Sequence, residues 1–369
     1  MNLNQKIKIF VDAHIFDNAF QGTATYIHGL YSALVQKSEF EITLCAQNIE
    51  QLKSIFKDSR FKFVQLKSKS GWRRLLFELP FIIKEGKYDY AHFQYITPFL
   101  KSCKHINTIH DILFLTYKDY FPWSYRFIKG NLFRLSAKKS DIVLTVSDFS
   151  KKDINQKFKI PSDKIFVTPN AAPTRTEAGK LNIKDQYGIG DYILFVSRFE
   201  PRKNHLGLLK AYLEQKLYEK EYSLVFIGSK NEAIEAQAYN VVKDAIPEAY
   251  SEYIHFFEGL SFEELNAFYS QASCFVYPSF AEGFGIPPLE AAINNCKVLC
   301  SNQTAMKEFD FFKYTFDPNN ESMFGNKLNT ILEDANYPYQ AIRQSVLSKY
   351  NWESIAEDYE NLIKNNFLK

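Results

Sequence analysis

Short apolar runs alternate with amphipathic segments of helical length almost from the start of the chain. Residues 7–13 (IKIFVDA) are typical of a buried strand, and residues 23–36 (TATYIHGLYSALVQ) of a following helix. Such alternation is typical of α/β proteins wound around a parallel sheet. Further strands are predicted, in order along the chain, at 40–46, 62–66, 88–95, 106–112, 141–147 and 164–172.

The alternation pauses in the middle of the chain and then resumes. Residues 171–190 (AAPTRTEAGKLNIKDQYGIG) are polar and show no sustained period, so they form the predicted linker. At 369 residues the chain exceeds the usual size of one hydrophobic core. We therefore predict two α/β domains at 1–175 and 186–350, with a last amphipathic helix at 351–369 that crosses back to the first. Strands of the second domain are predicted at 192–199, 222–228, 253–260 and 274–279.

Composition excludes several classes of protein. Hydrophobic residues make up 46% and charged residues 24%, which is ordinary for a folded domain. The five cysteines are odd in number and lack the paired spacing of a zinc site, which favours reduced thiols in a reducing compartment. The sequence shows neither a long uncharged apolar run nor a signal-peptide pattern at its start, so we expect a cytoplasmic protein.

The net charge of +3 conceals two halves of opposite sign. Residues 1–175 hold 27 Lys and Arg against 15 Asp and Glu, whereas residues 176–369 hold 18 against 27. This asymmetry predicts that the first half meets something anionic, such as a membrane surface or a phosphate-bearing substrate. A basic surface that simply faces water is the alternative.

One stretch, residues 280–292 (FAEGFGIPPLEAA), combines features of a ligand site. It follows the strand CFVYPS, turns through Gly283 and Gly285, and enters a helix whose first turn holds two prolines. We expect the N–H groups of Phe284, Gly285 and Ile286 to lie at the helix N-terminus, where an anion binds favourably. The carboxylates of Glu282 and Glu290 are then able to face one cleft and to hydrogen-bond sugar hydroxyls. The structural alternative makes Glu282 a turn residue and Glu290 a partner of the helix dipole.

These residues carry a family resemblance. EGFGIPPLE resembles the paired-glutamate signature of the retaining glycosyltransferases of family 4, which have the GT-B fold of two Rossmann-like domains facing each other across a cleft. Four further stretches resemble landmarks of that family in the family's order along nearly the whole chain: TIHDILFLTYKDYFP, TVSDFSKKDI, VTPNAA and FVSRFEPRKNHLGLLKAY.

The resemblance implies roles for particular residues on the donor side. Arg198 and Lys203, five positions apart in a loop, neutralise the leaving nucleotide diphosphate together with the N–H groups after Gly283. Arg202 beside them is a further candidate for the same task. Glu282 binds the sugar and Glu290 the ribose. Leu260 lies in the turn that resembles the family segment near the nucleotide base. No metal ion and no cofactor are expected, because Arg, Lys and the helix dipole supply the neutralising charge.

Two more residues are implied on the acceptor side. His110 matches the family histidine near the transferred sugar, and a hydrogen bond to that sugar is expected rather than general-base chemistry. A lone histidine at a strand end is otherwise more often a core or turn residue. Gly22, although in the first domain, is implied as a donor-binding residue near the donor phosphate, and it lies where many relatives carry a Gly-Gly pair, here Gln21–Gly22.

The predicted function is transfer of a hexose from GDP-mannose or a UDP-hexose to a glycan or lipid-linked acceptor in bacterial surface-polysaccharide synthesis. A sugar-nucleotide epimerase of the same fold and a non-catalytic sugar-binding protein are the alternatives. Residues 71–87 and 122–139 combine basic and apolar side chains at helical spacing. They favour a peripheral contact with an anionic membrane, with core-packed helices as the other explanation. The basic residues expected to make this contact are Arg73, Arg74, Lys84, Arg126, Lys129 and Arg134.

Overall fold

Parallel strands form two separate sheets in the computed structural model, which describes residues 6–17, 22–172 and 181–367. The chain divides into two units, one made of Met1–Ala171 with Tyr350–Lys369 and one made of Ala172–Lys349. Central strands of both sheets are buried on both faces, as Ile9 and Leu194 illustrate, because helices cover each side of a parallel sheet.

The first unit contains the larger sheet. Among the described residues its order is β3-β2-β1-β4-β5-β6-β7, and every pair of neighbours is parallel. The direction of winding therefore reverses between β1 and β4. The strands are β1 (Ile7–Asp12), β2 (Phe40–Ala46), β3 (Lys62–Gln65), β4 (Tyr90–Gln94), β5 (Lys104–Thr108), β6 (Ile142–Thr145) and β7 (Ile165–Val167).

The second unit repeats this plan on a smaller scale. Its described strands follow the order β10-β9-β8-β11-β12-β13, again all parallel. The strands are β8 (Tyr192–Val196), β9 (Ser223–Ile227), β10 (Ile254–Phe257), β11 (Cys274–Tyr277), β12 (Val298–Ser301) and β13 (Tyr314–Phe316).

Helices connect the strands in both units, and in the part of the chain that is described none is long and apolar enough to cross a lipid bilayer. In the first unit they are α1 (Gly22–Leu34), α2 (Ile49–Ile55), α3 (Gly71–Arg73), a π-helical turn (Arg74–Glu78), α4 (Leu79–Gly86), α5 (Leu113–Thr116), α6 (Trp123–Lys139) and α7 (Asp148–Phe158). Next come α8 (Ile183–Tyr187), α9 (His205–Glu214), α10 (Ala233–Asp244), α11 (Phe262–Gln271), α12 (Ile286–Ile293), α13 (Glu321–Glu333), α14 (Tyr339–Lys349) and α15 (Trp352–Phe367).

The predicted α/β class is confirmed, and each predicted strand is present, most of them with shorter bounds. The strand predicted at 106–112 starts earlier, at Lys104–Thr108, and the one predicted at 164–172 is reduced to Ile165–Val167. The prediction missed β12 and β13, because these short strands lack the long apolar run that marks the others. It was also wrong for part of the linker, where α8 forms. Asn182 caps its N-terminus and Gly188, with a φ of 70°, follows its last residue.

The last helix, α15, packs against α1 in the first unit. Gly29 makes this possible, because a Cβ atom at that position would lie 1.9 Å from the Trp352 ring. Farther along, the Tyr359 hydroxyl lies 3.1 Å from that of Tyr31, and Tyr90 donates a hydrogen bond to the Ile363 carbonyl oxygen. The C-terminus of the described chain is thus part of the core of the first unit.

Candidate functional site

The glycine-rich turn between β11 and α12 has the predicted form. Pro287 and Pro288 lie in the first turn of α12, and Gly285 precedes the helix with a φ of 106°, a conformation open to glycine. The N–H groups of residues 284–286 thus lie at a helix N-terminus beyond the carboxyl end of a parallel strand. The helix dipole favours an anion at this position.

The side chains of this turn anchor it to the second unit. Gly283 and Phe284 are buried, and Ile286 is half-buried. The Phe284 ring packs edge-to-face against Phe309 with centroids 5.7 Å apart. The backbone of the turn is therefore held in place by core packing.

Glu282 lies in this turn at the centre of a buried polar network. Its Oε1 accepts hydrogen bonds from Lys203 Nζ at 2.6 Å, Ser279 Oγ at 2.7 Å and Tyr277 OH at 2.9 Å. Its Oε2 accepts one from Arg202 Nη1 at 2.9 Å. Only 6% of Glu282 is exposed. A simple turn residue does not need four side-chain donors, so the network marks Glu282 as a specifically held carboxylate.

The charge of Glu282 is stabilised although it is buried. Burial alone would raise the pKa of this carboxyl, but the positive charges of Lys203 and Arg202 and the hydrogen bonds outweigh burial and lower the pKa to about 2. The carboxylate is therefore ionised at neutral pH.

Lys203 and Arg198, the two predicted phosphate ligands, lie in different surroundings. Lys203 is buried beneath Glu282, and its ammonium also contacts the Tyr277 hydroxyl at 3.2 Å. Arg198 is half-exposed, with Nη2 2.8 Å from Glu200 and Nη1 3.4 Å from Glu235. Both cations follow β8, whereas Glu282 follows the neighbouring strand β11, so the parallel sheet brings the two loops to one edge.

Glu290 lies on α12, where its carboxyl accepts a hydrogen bond from Tyr269 OH at 2.8 Å. Burial raises the pKa of Glu290 while this hydrogen bond opposes the shift. The two glutamates of the signature therefore differ, one stabilised as an anion and one shifted toward its neutral form.

Leu260 lies in the turn before α11 and is half-buried. Gly259 before it has a φ of 67°, and Ser261 after it caps the helix by accepting a hydrogen bond from the Glu264 N–H group. The backbone conformation of Gly259 and the helix cap of Ser261 therefore fix the turn on both sides of Leu260.

In the first unit, His110 follows β5 and is buried. Its Nε2 lies 2.6 Å from Gln94 Oε1, and since an amide oxygen accepts, Nε2 carries the proton. Burial lowers the pKa of His110 to about 3. The ring is therefore neutral at physiological pH, which leaves Nδ1 as a hydrogen-bond acceptor. Gly22 is the exposed first residue of α1, while Gln21 before it lies outside the described residues.

The sequence pattern did not identify several residues of this site. Arg202, weighed only as a helper of its neighbours, has a buried guanidinium that joins Glu200 to Glu282. Thr304 holds the turn by accepting a hydrogen bond from the Glu282 N–H group. Gly228 allows β9 to approach the Arg198 loop, because a Cβ atom there would lie 1.8 Å from the Ser197 carbonyl oxygen.

The first unit also exposes an unusual number of large apolar side chains on two helical segments. The exposed rings on residues 71–86 include Trp72 and Phe81. Those on α6 include Trp123 and Phe127, whose rings stack on each other with centroids 5.5 Å apart. The outward position of these rings contradicts the core-packed alternative for them. Arg74, expected to be among the exposed basic residues, instead turns inward and is 12% exposed.

The sequence matches two family profiles that together cover most of the chain. Residues 20–175 match the description "Glycosyltransferase Family 4", and residues 180–346 match "Glycosyl transferases group 1".

Two curated relatives and one solved structure extend this similarity. The chain is 30% identical over 273 residues to the O-antigen chain mannosyltransferase B of Escherichia coli, covering 70% of each protein. It is 30% identical over 197 residues to an O-antigen chain mannosyltransferase of Salmonella typhimurium, covering 53% of this chain and about half, 51%, of that one. A glycosyltransferase from Rickettsia africae has a TM-score of 0.73 at 18% identity over 99% of both chains, a likeness of fold alone.

Proposed function

Because the chain belongs to the glycosyltransferases of family 4, we propose that it is a retaining hexosyltransferase acting on a nucleotide-diphosphate sugar. GDP-mannose is the favoured donor, since both relatives described above are named as mannosyltransferases, and a UDP-hexose is the second choice. The observation that carries the proposal is the buried Glu282 carboxylate, held by Lys203 and Arg202 directly before the helix N-terminus of α12.

The proposed diphosphate site is on the second unit. Lys203 has three N–H donors, of which Glu282 and Tyr277 engage two, so the third is available to a phosphate oxygen. Arg198 is half-exposed and held by two carboxylates, which keeps its guanidinium at the end of β8. Together with the N–H groups at the start of α12, these cations neutralise the leaving diphosphate without a metal ion.

In the proposed reaction the bond between the sugar C1 and the diphosphate oxygen breaks, and a bond from C1 to an acceptor hydroxyl oxygen forms on the same face. The acceptor proton passes to the departing diphosphate. Positive charge close to that leaving group stabilises the transition state, which is the largest catalytic contribution expected of this site. Glu282 keeps Lys203 and Arg202 in place and presents its carboxylate edge to the sugar hydroxyls.

The remaining residues bind other parts of the donor. Glu290 accepts a hydrogen bond from a ribose hydroxyl, and Leu260 packs against the base. His110 accepts a hydrogen bond from a sugar hydroxyl through Nδ1, because Gln94 already engages Nε2. Gly22 lets the start of α1 approach the donor phosphates closely.

We further propose that the first unit, residues 1–175 with the last helix, receives a glycan or lipid-linked acceptor at the inner face of a membrane. Its surplus of positive charge and the exposed aromatic rings of residues 71–86 and α6 support this contact. A basic surface with exposed apolar rings binds anionic lipid reversibly, with about 1 kcal/mol per nearby Lys or Arg at low salt. We therefore propose a cytoplasmic protein that attaches peripherally to the membrane.

Product analysis tests the proposed function. The protein is incubated with GDP-mannose or UDP-glucose, with and without EDTA and with octyl α-mannoside as acceptor, and the nucleotide and sugar products are followed by NMR spectroscopy. We expect release of the nucleoside diphosphate, an α-linked product from an α-linked donor, and no loss of rate with EDTA. An isomerised nucleotide sugar without nucleotide release would instead identify an epimerase, and an unaltered donor would identify a binding protein.

A further inference from the structure

A buried aspartate and a histidine are hydrogen-bonded to each other at the point where the first sheet reverses its winding direction. Asp12 is the last residue of β1 and is 2% exposed. Its Oδ1 lies 2.8 Å from His14 Nδ1, while a quarter of the His14 side chain, 26%, is accessible to solvent. Ligands of open parallel sheets bind at the carboxyl ends of strands where the winding reverses, here between β1 and β4.

The pair fixes which nitrogen of His14 is available. The charges and hydrogen bonds of His14 and the charge of Arg74 outweigh burial and lower the pKa of Asp12, so Asp12 is an anion and Nδ1 must donate. Nε2, on the far side of the ring, is then the ring nitrogen that remains for a ligand. This is the usual way in which a carboxylate orients a functional histidine.

Arg74 lies next to Asp12 and His14, and the three residues form one cluster. Its Nε lies 4.0 Å from Asp12 Oδ2, its side chain is 12% exposed, and its Nε is shielded from solvent. Within residues 6–17, 22–172 and 181–367 this Nε–H group has no hydrogen-bond acceptor. A donor that is shielded from solvent and has no partner is costly unless something else satisfies it.

We propose that Asp12, His14 and Arg74 form the site that recognises a hydroxyl group of the acceptor sugar. A hydroxyl both donates and accepts, so it is able to bond Nε2 of His14 and at the same time accept a hydrogen bond from the guanidinium of Arg74. His14 and Arg74 contact the sugar directly, whereas Asp12 is a positioning residue that acts through both. The inference rests on the proposed function, which assigns the acceptor to the first unit.

The test uses saturation-transfer NMR with the full chain and three simple probes: methyl α-mannoside, methyl α-glucoside and methyl N-acetyl-α-glucosaminide. We expect the wild type to bind at least one probe and His14→Ala to lower its signal at least fivefold. His28→Ala, a half-buried histidine on α1, is the matched control and should keep the signal. Lys210→Glu, at an exposed position of the second unit, should keep it as well.

A second measurement tests the positioning role of Asp12. In Asp12→Asn the amide oxygen should face Arg74, so that the NH₂ group faces His14 and moves the ring proton to Nε2. Nitrogen NMR should show this change of tautomer, with a fivefold weaker probe signal in a protein that remains folded. An unchanged tautomer with an unchanged signal contradicts the positioning role.

Two outcomes would overturn the acceptor site itself: no probe binds the wild type, or the signal of His14→Ala equals that of the wild type. Hydrolysis of the nucleotide sugar by water, measured on the same variants, reports on the proposed function separately. It should stay within twofold of wild type in His14→Ala. If no nucleotide sugar is consumed by any variant, the proposed function fails while the NMR result on this site is still decisive.

Discussion

The Nζ of Lys203 lies 2.6 Å from Oε1 of Glu282, and both side chains are less than one-tenth exposed. These residues are 79 positions apart in the chain and meet because β8 and β11 are neighbours in one parallel sheet. A buried pair of this kind contributes little net stability when complete, but losing one partner leaves an uncompensated charge. The pair therefore links the stability of the second unit to the chemistry of the proposed donor site.

Replacing Glu282 with Gln removes the negative charge that holds Lys203 and Arg202. We expect the free energy of unfolding to fall by about 3–5 kcal/mol at pH 7, as for other broken buried pairs. We also expect turnover to fall at least a hundredfold. Urea denaturation and donor-hydrolysis rates measure the two effects.

Glu290→Gln is the matched control for that variant. Burial raises the pKa of Glu290, so the fold does not stabilise its negative charge, and a neutral amide should cost less than about 1 kcal/mol. For Glu282, with a pKa of about 2 in the folded state and 4.5 ordinarily, the stabilisation is complete above pH 4.5 and is lost as the pH falls toward 2. Equal stabilities of wild type and Glu282→Gln at pH 7 would contradict this assignment.

Arg198→Ala should weaken nucleoside diphosphate binding by roughly 1.5–3 kcal/mol, the usual value of a charge-assisted hydrogen bond. Because Arg198 is half-exposed, the change in stability should be small. Calorimetry with GDP and UDP beside guanosine and uridine checks this.

Lys203→Ala should weaken binding of the same ligands and also destabilise the fold, since Glu282 loses its partner. Equal losses for nucleosides and nucleoside diphosphates would show that neither residue contacts phosphate.

Gly228→Ala places a Cβ atom against the backbone carbonyl oxygen of Ser197, next to Arg198. The strand or the loop must shift, so we expect a destabilisation of about 1–3 kcal/mol and weaker nucleoside diphosphate binding. Gly190→Ala, where nothing lies within 4 Å of the added atom, is the control and should leave both unchanged. Denaturation measures the stability of the two variants, and calorimetry measures their binding of nucleoside diphosphates. If Gly228→Ala had the stability and affinity of the wild type, the loop would be shown to move freely.

Stability should fall in mild acid because several histidines are buried in neutral form. Burial lowers the pKa of His92, His110 and His205 to about 3, each below the ordinary value of 6.5. The free energy of unfolding is therefore highest above pH 6.5 and decreases as the pH falls toward 3. At pH 5 the decrease is about 2 kcal/mol per residue. Urea denaturation at pH 7 and pH 5 tests this, and His92→Gln should reduce the difference. Equal stability at both pH values would mean that these histidines take up a proton in the folded protein as easily as in the unfolded chain.

Vesicles that contain anionic lipid should bind the protein at low salt, and binding should fade as salt screens the charges over about 10 Å at 0.1 M. Since Arg74 is buried, Arg73→Glu with Lys84→Glu is the informative pair, and it should weaken co-sedimentation severalfold. Lys210→Glu with Lys243→Glu makes the same charge change on the second unit and should have no effect. Failure of the wild type to bind even at low salt would leave a soluble acceptor as the better proposal.

The sequence by itself determined the fold class, most of the strands and the turn at Glu282. These features depend on local patterns, since apolar runs predict buried strands and glycine followed by proline predicts a turn into a helix. The short strands β12 and β13 and the helix α8 were missed because their local signal is too weak to separate them from loops.

Only the tertiary structure decided which residues meet. Lys203, Arg202 and Glu282 come together because two parallel strands are neighbours, and Gly228 is required because another strand passes close to the Arg198 loop. The inward turn of Arg74 toward Asp12 likewise depends on a contact between residues far apart in the chain. Burial and charge partners set the pKa of a group, and both arise from such long-range contacts. A sequence pattern identifies candidate residues, whereas the packing of distant elements determines their partners and ionisation.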